Sequence, residues 1–366
     1  MPSLTLDSGV VFFYTDSGAV ASDEAYTTLV IIHGHTFHSG TFQHLNPLAA
    51  PNSLRLISVN RREYPGSSPY NDEELACFAE GDEEQRASLL AQQGRDLALF
   101  LDGVIQDLSI PKPGAGGGGG VALIGWSMGT LFLMALIASM ETLPADTKAR
   151  LAAQVHTVIL LQCPSLALGV PVPSGWHIPY TDPAVPPEAR GSAFAKWVSS
   201  YFVHGDLSSG THSLDVLTYD RTDPCKVPTI ERLTPAELLA ITDFTPAEKY
   251  DNIVGLPPFA GPAFRQTRKA LFDAAVRCEW GYPQIWNVCG TAEPWNIIHA
   301  AWFLEDEWRA TMDPQLEMRF AVINGANHFL VWDDPEKAIN ELKKCLSTPL
   351  QCQQTTVKKA SSCVIA

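Results

Sequence analysis

Residues 121–140 are almost uniformly apolar, yet the run is interrupted at its centre by Gly125-Trp126-Ser127-Met128-Gly129. A stretch of about 20 apolar residues has the length of a membrane span. Glycines two residues before and two after a serine mark something else: a sharp reversal between a buried strand, 121–124, and a buried helix, 131–140. In such a strand-to-helix turn the serine backbone is strained, and side chains at the glycine positions would collide as the chain folds back. The serine then projects from the tip at a helix N-terminus, where the dipole favours developing negative charge. That placement suits a nucleophile.

The rest of the chain repeats the strand–helix rhythm. Short β-rich runs fall at 10–14, 27–32, 54–59, 121–124, 155–161, 283–288 and 319–323. They are continuous rather than alternating, as expected of strands buried on both faces of a parallel sheet. Helical spacing appears at 83–108, 131–140, 297–309 and 336–346, and Asp334-Pro335 opens the last as a cap followed by a first-turn proline. Strands alternating with helices predict an α/β fold with a doubly wound, mostly parallel sheet.

Residues 165–282 break this rhythm. About half of the 27 prolines lie between Pro164 and Pro262. Thr234-Pro235-Ala236-Glu237 and Thr245-Pro246-Ala247-Glu248 both read as capping boxes with proline at the first helical position. The expected organisation is a core in two parts, 1–164 and 283–346, a helical cap or lid at 165–282, and a disordered tail at 347–366. The Gly/Pro-rich stretch 111–120 reads as a loop. Trp176, Trp197, Tyr201, Phe202, Phe244, Tyr250, Phe259 and Phe264 either hold the cap together or roof an apolar pocket.

Composition narrows the partners. A net charge of −15 opposes nucleic-acid binding, which needs a basic surface. Eight scattered cysteines without a CxxC pattern suit reduced thiols in a cytoplasmic protein. The N-terminus has no basic segment followed by an apolar run, so no secretory signal is expected. His33, His35, His38 and His44 lie close together, but no Asp or Glu stands among them, and they read as a polar pocket rim rather than a metal site.

With Ser127 as nucleophile, a base and an acid should follow other strand ends. His328, in Asn324-Gly325-Ala326-Asn327-His328-Phe329-Leu330, follows the run ending at Ile323. Glu293, in Gly290-Thr291-Ala292-Glu293-Pro294, follows the run at 283–288. Gln162-Cys163-Pro164 offers no carboxylate after the preceding strand, 155–161. In these motifs and their order the chain resembles the α/β-hydrolase superfamily, in its cap-bearing serine-hydrolase branch, over nearly all residues up to about 346. The resemblance implies a Ser127–His328–Glu293 triad, with glutamate where most relatives carry aspartate. His33-Gly34-His35 then matches the family's turn after the third strand, which implies oxyanion donors at the N–H groups of His35 and Met128. Gly34, Trp126 and Phe329 are the candidate substrate contacts. Residues 60–68 resemble a loop that shapes the pocket wall without catalysis.

These residues predict a serine hydrolase that cleaves an ester, thioester or lactone of a small, largely apolar substrate through an acyl-enzyme, with no metal or organic cofactor. The same triad also serves acyl transfer and C–C bond hydrolysis, and the same fold can act as a ligand receptor. Epoxide hydrolysis and dehalogenation are disfavoured, because on this fold they use a carboxylate where Ser127 stands. The ending Cys363-Val364-Ile365-Ala366, with Lys358 and Lys359 upstream, looks like a prenylation box, which would add weak, peripheral membrane association through Cys363.

Overall fold

The strands Thr27–Ile32, Leu54–Val59 and Val121–Trp126 are buried at every residue, and alternate side chains enter two separate cores. Val30, Ile32 and Leu123 belong to one apolar cluster. Leu29, Ile31 and Ile124 belong to the other. Covering both faces is what a continuous apolar strand requires. The computed structural model describes residues 2–20, 26–114, 118–255, 257–311, 313 and 315–347.

Eight strands form one sheet: β1 (Ser3–Thr5), β2 (Val11–Asp16), β3 (Thr27–Ile32), β4 (Leu54–Val59), β5 (Val121–Trp126), β6 (Val155–Leu161), β7 (Gln284–Gly290) and β8 (Met318–Ile323). Their order is β1-β2-β4-β3-β5-β6-β7-β8. β1 pairs antiparallel with β2 and β2 antiparallel with β4, and all other pairings are parallel. The three-residue β1 and the helices Asp72–Glu80 and Ala145–Gln154 add to the elements expected from sequence. The apolar run at 121–140 is β5 followed by the helix Gly129–Ala138. Among the described residues no helix is long and apolar enough to cross a membrane.

Between β6 and β7 the chain forms helices and turns. One isolated bridge, Phe37 to Thr242, joins this insertion to the core. The Thr234 capping box forms as expected. The one at Thr245 does not: Asp243 accepts from the Thr245 N–H and starts the helix earlier, which leaves Glu248 in a π-helical turn, Ala247–Asp251. The longest helix of the insertion, Pro257–Phe272, tolerates Pro262 because it buries Phe259, Ala263 and Leu271. These side chains lie in the same apolar cluster as Leu97 and Leu101 of the helix Glu83–Asp107 and Leu131 of Gly129–Ala138. The candidate prenylation box, with Cys363, lies outside the described residues.

Candidate active site

In a parallel sheet the chain leaves every strand at the same edge, so residues far apart in sequence collect there. Ser127 follows β5, Gln162 follows β6, Glu293 follows β7 and His328 follows β8. Gly34 lies just beyond β3, whose last residue Ile32 is opposite Gly125.

Ser127 has φ +55°, a left-handed value that a non-glycine residue adopts only under constraint. Its N–H is held by the Leu161 carbonyl at 2.9 Å. The glycines around it are demanded by contact. A Cβ at Gly125 would come 2.7 Å from Thr130 Cα. One at Gly129 would come 2.1 Å from the Ile32 carbonyl oxygen, and one at Gly34 2.8 Å from Ser127 Cβ. These approaches press β3, the turn and the following helix together.

The imidazole of His328 is buried, and its Nδ1 lies 2.9 Å from Glu293 Oε2. Glu293 is wholly inaccessible to solvent. Its second oxygen, Oε1, accepts from the Gly290 N–H at 3.2 Å and from the Gln162 side-chain amide. Because a carboxylate only accepts, the facing His328 nitrogen is the Nδ1–H donor, and in a neutral ring the lone pair is then on Nε2. The ring stacks on Trp126, with centroids 5.0 Å apart and planes at 26°.

Gln162 ties these parts together and was not a sequence candidate. At φ +54°, it accepts from the Trp126 indole N–H at 2.8 Å and donates to Glu293 and, at 2.7 Å, to the Asn327 carbonyl. Its only sequence signal was a polar residue at the end of a buried strand. Asn327 is clamped in turn: its amide nitrogen donates to the Ser199 carbonyl at 2.9 Å and to Thr229 Oγ1 at 3.1 Å, both on the insertion.

The turn after β3 is held by Arg61, whose Nε and Nη2 donate to the His33 and Gly34 carbonyls at 3.1 and 2.8 Å. The buried guanidinium pairs bidentately with Asp251 of the insertion, at 2.9 and 2.6 Å. Tyr64 donates to the same carboxylate and accepts from the Thr36 N–H. Residues 60–68 therefore do more than shape a wall. Burial, reinforced by the Arg61 charge, depresses the His33 pKa well below its usual value. Burial also lowers that of His35, which contacts Asn252 Oδ1 at 2.8 Å, and takes His38 to about 4. His44 contacts the Trp332 carbonyl. Among the described residues no cluster of His, Cys, Asp and Glu could hold a metal.

Ser127, Met128, His35 and His328 line one cavity of about 610 Å³. The N–H groups of His35 and Met128 engage no backbone acceptor among the described residues. The remaining wall comes largely from the insertion, including Ile178, Tyr180, Arg190, Phe194, Trp197 and Asn252. Of the candidate substrate contacts, Gly34, Trp126 and Phe329 are not among the lining residues. Trp126 and Phe329 are 1% and 0% exposed and pack edge-on to each other. They support His328 from behind, because strand alternation turns Trp126 into the core. Of the eight aromatics singled out from sequence, Trp197 lines the cavity, whereas Phe259 and Tyr250 pack on Phe78 of the core; Tyr180 and Phe194, which line it too, were not among them.

The Alpha/beta hydrolase family model matches residues 29–342, and the chain belongs to this family of hydrolase-type enzymes. Comparison with curated proteins gives no match. Among solved structures, the chain is similar to an esterase from Exiguobacterium antarcticum, at 13% identity over 94% of this chain and 99% of that one, with a TM-score of 0.49. It is also similar to a haloalkane dehalogenase loop variant from Bradyrhizobium elkanii, at 16% identity, 92% and 93% coverage and a TM-score of 0.49. A third is a bromoperoxidase from Bacillus anthracis, at 14% identity, 93% and 97% coverage and a TM-score of 0.46.

Proposed function

We propose that the protein is a serine hydrolase that cleaves an ester, thioester or lactone of a small, largely apolar substrate. The observation that carries this reading is the buried Glu293–His328 pair, whose imidazole shares a cavity wall with Ser127. His328 Nε2 takes the proton of Ser127, and Oγ attacks the substrate carbonyl. Glu293 stabilises the imidazolium that results. The N–H groups of His35 and Met128 receive the oxyanion, and His328 returns the proton to the leaving group. Water, activated by the same imidazole, then releases the acid from the acyl-enzyme. Met128, Leu166, Ile178, Phe194, Val198 and Ile297 supply apolar surface for the acyl or alcohol group. Residues 165–282 act as the cap over this cavity.

A fluorophosphonate probe, together with p-nitrophenyl esters of rising chain length, tests the proposal. Wild type is expected to label and to hydrolyse short and medium esters. Ser127→Ala is expected to do neither, with kcat lowered on the order of 10⁵–10⁶-fold. Wild type that resists the probe and turns over no ester would point to a ligand receptor instead.

A further inference from the structure

The loop that carries Glu293, between β7 and the helix Trp295–Ala310, is gripped by a strap of the insertion. On one side residues 201–205 pair with 216–223. The Val203 N–H donates to the Arg221 carbonyl at 3.0 Å, the Gly205 N–H to the Val216 carbonyl at 2.6 Å, and the Asp223 N–H to the Tyr201 carbonyl at 2.8 Å. On the other side the Phe202 N–H donates to the Ala292 carbonyl at 3.0 Å. His204 spans the two. Its Nε2 lies 2.8 Å from the Glu293 backbone oxygen, and its Nδ1 lies 3.0 Å from the Thr218 nitrogen. A carbonyl only accepts and a backbone N–H only donates, so one neutral tautomer, protonated at Nε2, satisfies both contacts. Burial lowers the pKa of this ring, which favours the neutral form.

The Glu293–Pro294 peptide has no N–H, so its carbonyl is its one hydrogen-bonding group. The carboxylate of Glu293 is held at its tip by Gly290, Gln162 and His328. His204 holds the backbone end of the same residue. From these contacts we infer that His204 is a positioning residue for the hydrolytic reaction: it fixes the Glu293 backbone so that the carboxylate meets His328 Nδ1. The inference rests on the serine-hydrolase reading and deepens it. His204 does not line the cavity, so it acts through Glu293 and not on the substrate. The insertion thereby supports the relay from behind as well as walling the cavity.

The test separates the two ring nitrogens in the full-length protein. His204→Gln keeps an N–H donor at the Nε2 position and loses the acceptor at Nδ1. His204→Asn keeps the acceptor and does not reach Glu293. His204→Leu has neither. With p-nitrophenyl butyrate, kcat should fall about 5- to 50-fold in His204→Leu and His204→Asn, with KM within threefold, and stay within about threefold of wild type in His204→Gln. A double-mutant cycle is the second readout. In a Glu293→Gln background His204→Leu should cost less than about twofold, because the carboxylate it positions has gone. A loss that falls on KM, recovery by His204→Asn in place of His204→Gln or by neither, full kcat in all three variants, or the same cost in both backgrounds each overturn the assignment. If His204→Leu does not fold, His204→Asn takes its place in the cycle and the comparison with His204→Gln decides. If an overturning result comes while the fluorophosphonate still labels Ser127, only the role of His204 is lost. If Ser127 does not label, the serine-hydrolase reading falls and this role with it.

Discussion

The cavity wall made by the strand ends is backed by a closely connected set of cross-strand hydrogen bonds, whereas the wall made by residues 165–282 is joined to the core by apolar packing of the helix Pro257–Phe272 and by polar ties to several separate core segments. Behind the first wall, Gln162 and Asn327 use both ends of their amides, and the Glu293 carboxylate has three partners. On the second, Asp251 reaches Arg61, Asn252 reaches His35, and Thr229 reaches Asp333 and Asn327. Reacting groups must be held within fractions of an ångström, and rigid strand ends do that. Selectivity for a substrate depends on surface, and an insertion can vary its surface without disturbing the sheet.

Four experiments press on this contrast. The largest effect is expected on the strand-end wall itself. Glu293→Gln keeps the shape but presents an amide to Nδ1, which favours the wrong imidazole tautomer. kcat should fall roughly 10⁴-fold with little change in KM. Ester kinetics with a loss below tenfold would remove Glu293 from the relay.

The next effect strikes the tie between the walls. Asp251→Ala leaves the buried Arg61 charge unpaired beside the Gly34 carbonyl. Urea denaturation should show a loss of about 3–5 kcal/mol. An unchanged midpoint would mean that the insertion docks independently of this pair.

Gln162→Leu strips three hydrogen bonds from the relay without adding charge. kcat should drop by roughly 10- to 100-fold, equivalent to about 1–3 kcal/mol, with KM within threefold. A rise in KM with kcat intact would assign Gln162 to substrate binding instead.

The smallest effect is a slope. His38 is held at about 4 in the folded protein by burial, and it titrates near 6.5 when unfolded. Between these values the unfolded chain binds the extra proton, so stability is full above pH 6.5 and declines as pH falls toward 4. His38→Gln should flatten the dependence of stability on pH in that window by up to about 1.4 kcal/mol per unit. Parallel curves for variant and wild type would show that His38 is solvated in the native state.

Local patterns carried much of this architecture. β3, β4 and β6 match their β-rich runs to the residue, although Arg55, Ser58 and Thr157 stand within them. The elbow at Ser127 was legible because glycine is the residue that survives such approaches. Glu293 and His328 were legible because each follows a recognisable strand, and parallel strands end at one edge.

The proximity of Trp126 and Phe329 to these motifs misled: Trp126, at the end of β5, and Phe329, at the cap of the helix Leu330–Asp333, both pack into the core beside His328. Gln162 and Glu293 are separated by 131 residues, and Arg61 and Asp251 by 190. No periodicity or spacing encodes such pairs; they exist only once the sheet has ordered its strands and the insertion has folded back. The sequence by itself therefore marked the candidate groups at the strand ends and all the strands but β1. Tertiary packing alone decided which buried polar atoms find partners, because hydrogen-bond satisfaction is a property of three-dimensional neighbours.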